Sequence, residues 1–212
     1  MIIGKFVIVA IVAYLLGAIP FALIVSKKLA GVDITKHGSG NIGGTNVYRV
    51  LGRKAGAIAI ILDLAKAFTA VMAAKYIIGD SVLMVAEMPI TWQWGQALAA
   101  LMVMLGHNWS VYIKFKGGKG VATYFGSWFA MWPPAALFAA VILVLTLLRS
   151  RYMSLGSLLS AAGVLILFIV LTVGYDFPVV YLVYSMIAAA LIFYQHRANI
   201  DRLGSGTEMR LR

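Results

Sequence analysis

The sequence lacks cysteine entirely and is poor in charged residues. With no cysteine among its 212 residues, the chain can form neither a disulfide nor a catalytic or metal-binding thiolate. Charged residues make up 12% of the chain, about half the share of a typical soluble domain, whereas hydrophobic residues make up 62%. This composition excludes a typical soluble domain and predicts an integral membrane protein, all-α, folded as a single helical domain over residues 1–212.

Motifs of several common enzyme classes are missing too. The sequence has no H-E-x-x-H motif and no cluster of histidines and carboxylates, so nothing in it supports metal catalysis. It has no G-x-S-x-G nucleophile elbow. It also has no evident internal repeat, which disfavours an inverted-repeat transporter. We therefore expect no metal and no cofactor.

Seven apolar segments predict about seven transmembrane helices, two of them short. Gly17 and Pro20 interrupt the first segment, which has no cleavage site and reads as a retained helix rather than a signal peptide. The fourth and fifth segments are shorter than the roughly 20 residues that a span needs, so they form either two short helices or one re-entrant hairpin. The segments cover about residues 6–25, 55–78, 97–113, 121–132, 135–148, 152–173 and 179–194.

The positive charges lie on alternate connectors. The connectors after the first, third, fifth and seventh segments hold six, three, two and four of the 18 lysines and arginines, and the other connectors hold none. The positive-inside rule then places the N-terminus outside and the C-terminus in the cytoplasm. In a chain this apolar, we attribute the net charge of +11 to loops near anionic lipid and not to nucleic-acid binding.

The connector after the third segment is rich in glycine and lysine. Residues 115–123 read FKGGKGVAT. Glycines allow successive backbone N–H groups to turn toward one anion, and a lysine adds a full charge. The spacing differs from the nucleotide-binding P-loop. We interpret the stretch as a phosphate-binding loop, with a flexible basic loop as the alternative.

Two further polar clusters lie on the same predicted face. Residues 38–49, GSGNIGGTNVYR, combine four glycines with small polar residues and end in Arg49, which can bind phosphate through two hydrogen bonds. Residues 196–203, HRANIDRL, are followed by Glu208. The alternatives are a flexible linker for the first cluster and a basic tail on lipid headgroups for the second.

Weaker signals lie within the apolar segments. Asp63 and Lys66 share one helix face, and we expect an intramembrane pair that helps to hold the site, with direct substrate contact as the alternative. His107 is more typical of packing than of catalysis. Ser154 and Ser157 fall near a predicted helix N-terminus, which is either an anion site or simple capping.

In this order and with this hydropathy, the three clusters closely resemble the motifs of the bacterial membrane-integral acyl-phosphate:glycerol-3-phosphate acyltransferase family, called PlsY. The matching stretches are 39–49, 116–123 and 196–203 with Glu208, and the resemblance covers essentially the whole chain. One departure is Gly44, where the family usually has alanine.

The resemblance implies a seven-helix enzyme of the bacterial inner membrane whose active site faces the cytoplasm. It would transfer an acyl group from acyl phosphate to the 1-hydroxyl of glycerol 3-phosphate, releasing lysophosphatidate and phosphate. The expected partners are these two substrates and membrane lipids, without an obligatory protein partner. The alternative is an organic-phosphate transporter or channel, which would require polar residues that continue to the outer face.

The resemblance also implies residue roles. Lys119, Ser39 and His196 are expected to act in catalysis, and a substrate phosphate is expected to accept the hydroxyl proton. Gly117, Gly118 and Lys119 would hold the acyl phosphate. The residues expected to bind substrate are Ser39, Asn41, Thr45, Asn46, Arg49, Gly117, Gly118, Lys119, Ser154, Ser157, His196, Asn199 and Glu208, and those expected to support the site are Asp63, Lys66 and His107.

His196 and Asp201 form an H-x4-D pattern, like the catalytic dyad of unrelated acyltransferases. Because the pattern falls inside the third cluster, whose sixth position is variable in the family that it resembles, we interpret it as a coincidence.

Overall fold

The computed structural model describes residues 2–86 and 88–211. Within these residues the chain is mostly helical, with one short antiparallel hairpin of β1 (Leu83–Val85) and β2 (Met88–Ile90). The helices are α1 (Ile2–Ala18), α2 (Phe21–Ala30), α3 (Gly44–Leu51), α4 (Arg53–Ile78), α5 (Trp92–Asn108), α6 (Val121–Met131), α7 (Pro133–Ser150), α8 (Met153–Tyr175), α9 (Val179–Gln195) and α10 (Arg197–Gly204).

The prediction of a helical membrane protein is confirmed in its coarse form, with two corrections. The chain is not purely α-helical, because the hairpin occupies the connector between α4 and α5. The polar clusters are also more helical than the sequence indicated, since α3 and α10 begin inside them. Each of these helices has only eight residues and little apolar surface, so tertiary contacts must supply most of its stability.

The described chain divides into two compact units, which meet in sequence between Met131 and Trp132. The first unit contains α1 to α6 and the hairpin, and the second contains α7 to α10. In the first unit, α5 packs on both α1 and α4, and α4 also packs on α3 and α6. In the second unit, α8 lies between α7 and α9. The interpretation of residues 1–212 as one domain stays a prediction.

The first apolar segment is broken into α1 and α2, as its sequence predicted. α1 ends at Ala18 and α2 begins at Phe21. Pro20 explains the break, because proline has no N–H to donate and its ring obstructs the preceding helical turn. A broken helix leaves backbone groups without their normal partners, and at membrane depth protein groups must satisfy them.

Two side chains from other elements bind the carbonyl oxygens freed by this break. The Ser110 hydroxyl donates to the oxygen of Ala18 at 2.5 Å. The ammonium group of Lys66 donates to the oxygen of Ile19 at 2.8 Å. The break is thereby attached to α4 and to the segment that follows α5.

Two glycines allow α1 and α5 to cross at very short range. A Cβ atom at Gly17 would overlap the backbone of Val103, and a Cβ atom at Gly106 would overlap the backbone of Tyr14 and Ala18. Close approach at small residues is a common way for helices to pack in membranes, where the apolar solvent supplies little driving force. This crossing brings the end of α5 next to the break.

The second unit contains an aromatic cluster near the connector between α8 and α9. Trp132, Phe168, Phe177 and Tyr181 contact one another with ring centroids 5.1 to 6.0 Å apart. Tilted and stacked contacts of this kind stabilise aromatic pairs beyond the area that they bury. The cluster therefore joins α8, α9 and the residue before α7.

Four described stretches are long and apolar enough to cross a membrane: Ile2–Ala30, Arg53–Ile78, Pro133–Ser150 and Met153–Tyr175. A fifth is present if α9 and α10, bent by 61° at their junction, count as one span. α7 and α8 expose aliphatic side chains such as Leu148 and Ile166, at 75% and 61%, which suits contact with lipid.

Candidate active site

Asn46 organises the first polar cluster. Its side-chain nitrogen donates to the backbone carbonyls of Ile34, His37 and Asn41 at 3.0 to 3.1 Å, and its side-chain oxygen accepts the N–H of Ser39 at 2.9 Å. Asn46 is completely buried. Its amide therefore fixes the conformation of the loop that precedes α3. The direct contact with substrate that the sequence predicted stays a prediction.

The other predicted residues of this cluster remain partly accessible. Thr45 and Arg49 are four residues apart on α3 and so share a helix face. Ser39 and Asn41 lie in the preceding loop, and all four side chains are half-buried. The cluster is therefore a folded loop and helix that presents hydroxyl, amide and guanidinium groups, which argues against a flexible linker.

The second cluster folds back onto the end of α5. The N–H of Ser110 donates to the Lys116 carbonyl at 3.0 Å, and the N–H of Phe115 donates to the Ser110 carbonyl at 2.8 Å. Further along, the N–H of Gly118 donates to the His107 carbonyl at 3.0 Å. These bonds hold residues 110–118 against the helix end, so the stretch is an ordered loop.

Close packing against the end of α5 requires glycine at positions 117 and 118. A Cβ atom at Gly117 would overlap the backbone oxygen of His107 and lie 2.5 Å from that of Asn108. A Cβ atom at Gly118 would overlap the Nε2 atom of His107 and lie 2.7 Å from the Ile42 carbonyl oxygen. Only glycine allows the backbone to rest this close to α5 and to the first cluster.

Lys119 lies between this packed pair and the start of α6. Gly120 turns the chain with φ of 79°, and the hydroxyl of Thr123 donates to its carbonyl at 2.9 Å. The first N–H groups of an α-helix have no partner within the helix, point beyond its N-terminus and carry partial positive charge. The loop thus places a half-buried lysine beside the N-terminus of an eleven-residue helix, an arrangement suited to holding an anion.

A buried polar cluster lies directly beneath this loop. The predicted ion pair is confirmed, since Lys66 Nζ lies 2.7 Å from Asp63 Oδ1. Lys66 Nζ also lies 3.2 Å from His107 Nδ1, and the same histidine nitrogen is 3.6 Å from Asp63 Oδ1. All three side chains are buried. We call them the Asp63–Lys66–His107 cluster.

Glu208 organises the third polar cluster, in the second unit. Its Oε1 atom accepts hydrogen bonds from Ser154 at 2.8 Å and from Asn199 at 2.7 Å, and its Oε2 atom accepts from Arg202 at 2.7 Å. The carboxylate thus joins the C-terminal tail to α8 and α10. Because an anion repels phosphate, we assign Glu208 to orienting Asn199, and its expected contact with substrate stays a prediction.

The environment of Glu208 favours its charged form. Burial opposes ionisation, but the hydrogen bonds donated by Asn199, Arg202 and Ser154 outweigh it and hold the pKa of Glu208 below its usual value. The carboxylate is therefore ionised at neutral pH. It accepts the hydrogen bond that the Ser154 hydroxyl donates. The hydroxyl of Ser157 donates to the Met153 carbonyl at 2.9 Å. Contact of either serine with phosphate stays a prediction.

Replacing Glu208 with glutamine is expected to lower the free energy of unfolding at neutral pH by about 1–3 kcal/mol. The glutamine would keep an acceptor for Asn199 but would present an amide donor to Arg202. Because the pKa of Glu208 is lowered in the folded protein, the difference from wild type should shrink as the pH falls through that lowered pKa. Thermal unfolding of both proteins in detergent micelles, repeated across a range of pH, measures this difference.

Asp201→Asn is the matched control, since Asp201 is an exposed carboxylate on α10, the helix that carries Asn199 and Arg202. It should change stability by no more than about 0.5 kcal/mol. Equal losses in the two variants would contradict an organising role for Glu208.

His196 is buried where α9 meets α10, and its Nδ1 atom donates to the Ile192 carbonyl at 2.8 Å. In the neutral ring this leaves Nε2 as the acceptor. Asp201 lies on the exposed side of α10. The Nδ1 proton is therefore directed to the backbone of α9 and not to the carboxylate that the H-x4-D pattern would require.

The comparisons with known proteins agree along the whole chain. Residues 7–206 match the family described as Glycerol-3-phosphate acyltransferase. Glycerol-3-phosphate acyltransferase 3 of Dehalococcoides mccartyi is 42% identical over all of this chain and 98% of its own length, and the enzyme of Carboxydothermus hydrogenoformans is 42% identical over 97% of this chain and 96% of its own.

The chain belongs to the glycerol-3-phosphate acyltransferase family.

Solved structures of this family extend the agreement to the fold. The crystal structure of PlsY, an integral membrane glycerol 3-phosphate acyltransferase, in its glycerol 3-phosphate form, is 38% identical and superposes with a TM-score of 0.84. It covers 99% of this chain and 96% of the PlsY chain. The lysophosphatidic acid form gives a TM-score of 0.83. The resemblance inferred from the three motifs is thereby confirmed, and the comparisons give no support to the transporter alternative.

Two residues beneath the glycine loop of this acyltransferase, Asn108 and Ser110, were given no role from the sequence. Ser110 binds the broken first segment, and Asn108 lies under Gly120, with its amide oxygen 3.1 Å from the position of a Cβ atom there. Both side-chain polar atoms of Asn108 are buried and, among the described residues, have no hydrogen-bond partner. The available signal was their position just before the loop, in a stretch where polar residues replace the apolar pattern of α5.

Proposed function

We propose that this protein transfers an acyl group from acyl phosphate to the 1-hydroxyl of glycerol 3-phosphate, giving lysophosphatidate and inorganic phosphate. The observation that carries the proposal is its full-length similarity to PlsY, whose two solved forms are named for glycerol 3-phosphate and for lysophosphatidic acid. The first compound is the proposed acceptor, and the second is the proposed product.

In the proposed reaction, the 1-hydroxyl oxygen bonds to the acyl carbonyl carbon while the bond from that carbon to the phosphate oxygen breaks. Acyl phosphate is a mixed anhydride, so its carbonyl is already activated and phosphate is a good leaving group. A covalent enzyme intermediate is unnecessary. A substrate phosphate accepts the proton of the attacking hydroxyl, since both substrates carry ionised phosphate oxygens near the reacting atoms.

Charge repulsion is the main barrier that the protein must offset. The two phosphorylated substrates together bring up to about four negative charges. Lys119 and the N–H groups at the start of α6 offset this charge around the acyl phosphate, and Gly117 and Gly118 allow the loop to hold it. By the motif resemblance, glycerol 3-phosphate is oriented by Ser39, Arg49 and Asn199, and His196 acts in catalysis. These assignments rest on the motif resemblance and on the local geometry of each cluster.

We also propose the finer membrane arrangement. All seven apolar segments cross the bacterial inner membrane, with the N-terminus outside and the C-terminus in the cytoplasm. α6 is then a short span, whereas α7, with 18 residues, is longer than the segment expected from sequence. The support is the alternation of charge, since three of the four basic connectors carry the polar clusters. The reaction then takes place at the cytoplasmic surface, where the acyl chain can remain among the helices.

Reconstitution in liposomes tests the proposed function. The purified protein receives acyl phosphate and labelled glycerol 3-phosphate, and the expected product is labelled lysophosphatidate with release of one phosphate. Acyl-CoA in place of acyl phosphate should give no product. Product from acyl-CoA alone would refute the proposed donor, and label accumulating inside the vesicles without product would refute acyl transfer in favour of transport.

Asp201→Ala is expected to retain activity within about twofold of wild type, because Asp201 is exposed and His196 Nδ1 is bonded to α9. His196→Ala, measured in parallel, should lose activity. Initial rates of lysophosphatidate formation with both substrates at saturation measure the effect. Loss of turnover in Asp201→Ala, with substrate binding intact, would instead support a histidine–aspartate dyad.

A further inference from the structure

We propose that His107 is a positioning residue, which holds the Gly117–Gly120 loop in its active shape, and that Asp63 and Lys66 hold His107 in turn. The proposal rests on the proposed function, because it is that function which places the phosphate of acyl phosphate on this loop. His107 acts on the loop and contacts no substrate.

The two nitrogens of His107 face different partners. Nδ1 faces the ion pair, 3.2 Å from Lys66 Nζ and 3.6 Å from Asp63 Oδ1. Nε2 faces the loop, so close to Gly118 that a Cβ atom there would overlap it. The backbone oxygen of the same histidine accepts the Gly118 N–H at 3.0 Å. Gly118 thus rests on both the ring and the backbone of His107, and rotation of the ring would displace it.

Lys66 fixes that ring. Its Nζ atom lies 2.7 Å from Asp63 Oδ1, 2.8 Å from the Ile19 carbonyl oxygen and 3.2 Å from His107 Nδ1. An ammonium group cannot accept a hydrogen bond, so a hydrogen bond between charged Lys66 and His107 is one in which Nδ1 accepts. One lysine thereby connects the break in the first segment to the histidine under the loop.

The space around the cluster argues against direct substrate binding. A small pocket is lined by residues that include Ile19, Ile42, Asp63, His107, Ser110 and Gly117. It has room for about one water molecule, far less than glycerol 3-phosphate needs. The polar groups of the cluster are therefore covered by the two loops that they support, which favours a supporting role over a ligand role.

Two substitutions at His107 test whether the side chain must extend to Gly118 or need only be polar. Asparagine can offer an acceptor near the Nδ1 position but is too short to reach Gly118, whereas glutamine can extend to the Nε2 position. We expect His107→Asn to lower kcat/KM for acyl phosphate by about 10–100-fold, since small displacements of a binding group have effects of this size. His107→Gln should recover most of that loss.

The matched control is His37→Asn, an exposed histidine in the same unit, which should stay within about twofold of wild type. If His107→Gln were as impaired as His107→Asn, or if His107→Asn matched the control, the positioning proposal would be wrong.

A double-mutant cycle tests the contact with Gly118 directly. Gly118→Ala adds a methyl group where the His107 ring lies, so the shorter side chain of His107→Asn should partly accommodate it. We expect Gly118→Ala to reduce kcat/KM at least tenfold less in the His107→Asn background than in wild type. Additive losses, the usual result for residues that act independently, would overturn the proposal.

Hydrogen exchange separates this proposal from the proposed function. If the wild type forms no lysophosphatidate, acyl transfer is wrong, but the exchange rate of the Gly118 amide can still be measured. It should rise at least tenfold in His107→Asn and in Lys66→Met, which removes the anchor of the ring, and remain unchanged in His37→Asn. Unchanged protection of Gly118 in both cluster variants would refute positioning, whatever the activity.

Discussion

Replacing Lys119 with alanine is expected to lower kcat/KM for acyl phosphate by about 10²–10³-fold, the usual effect of removing one group that stabilises charge in a transition state. Lys119 lies between the close-packed glycines and the N-terminus of α6, so its charge and the helix N–H groups can act on the same anion. Steady-state rates of lysophosphatidate formation measure the loss, and Lys119→Arg should recover part of it.

Lys114→Asn provides the control for net charge. Lys114 is an exposed cation in the turn that precedes the loop, and its φ of 56° is one that asparagine tolerates. This variant removes the same charge five residues away and should keep activity within about twofold. If both variants lost activity equally, the effect would come from the overall potential of the surface and not from a specific contact of Lys119.

Gly118→Ala is expected to lower activity by about 100-fold or more. The added Cβ atom would overlap Nε2 of His107 and approach the Ile42 carbonyl, so the loop must move away from α5. A displacement of about 1 Å at a substrate-holding group can cost 10²-fold in rate. Overpacking of this kind should also lower the free energy of unfolding by about 1–3 kcal/mol.

The control for this substitution is Gly4→Ala in α1, where a Cβ atom would have no neighbour within 4 Å. It should leave activity unchanged and stabilise the helix slightly, because alanine has the higher helix propensity. Thermal unfolding and initial rates are measured for both variants. Wild-type activity in Gly118→Ala would show that the loop tolerates displacement and that close packing does not require glycine at position 118.

The helices within the membrane were predictable because a long apolar run is a local property. Residues 55–78 and 152–173 were expected as helices, and the structure has Arg53–Ile78 and Met153–Tyr175. The break at Pro20 was predictable for the same reason, since proline disrupts the interior of a helix whatever the tertiary fold. The short helices α3 and α10 were missed because their residues are mostly polar and carry no apolar run.

The candidate site was predictable as a set of motifs but not as a set of contacts. The sequence identified Asn46 and Glu208 as members of polar clusters, but it did not show their partners within the protein, and their contacts with substrate stay predictions. In the structure, the side chain of Asn46 donates hydrogen bonds to backbone carbonyls of its own loop. The carboxylate of Glu208 accepts hydrogen bonds from Ser154, Asn199 and Arg202. No pattern in the sequence distinguishes an amide that faces a ligand from one that faces a backbone carbonyl.

The sequence by itself determined a helical membrane protein with a broken first segment, basic connectors and three polar motifs that indicate the family. Only the tertiary structure decided which polar groups meet. Lys66 binds the carbonyl of Ile19 across 47 residues, and Ser154 binds Glu208 across 54. Hydrophobic burial follows from composition over short stretches, whereas a hydrogen bond forms only when the fold brings two distant groups to about 3 Å.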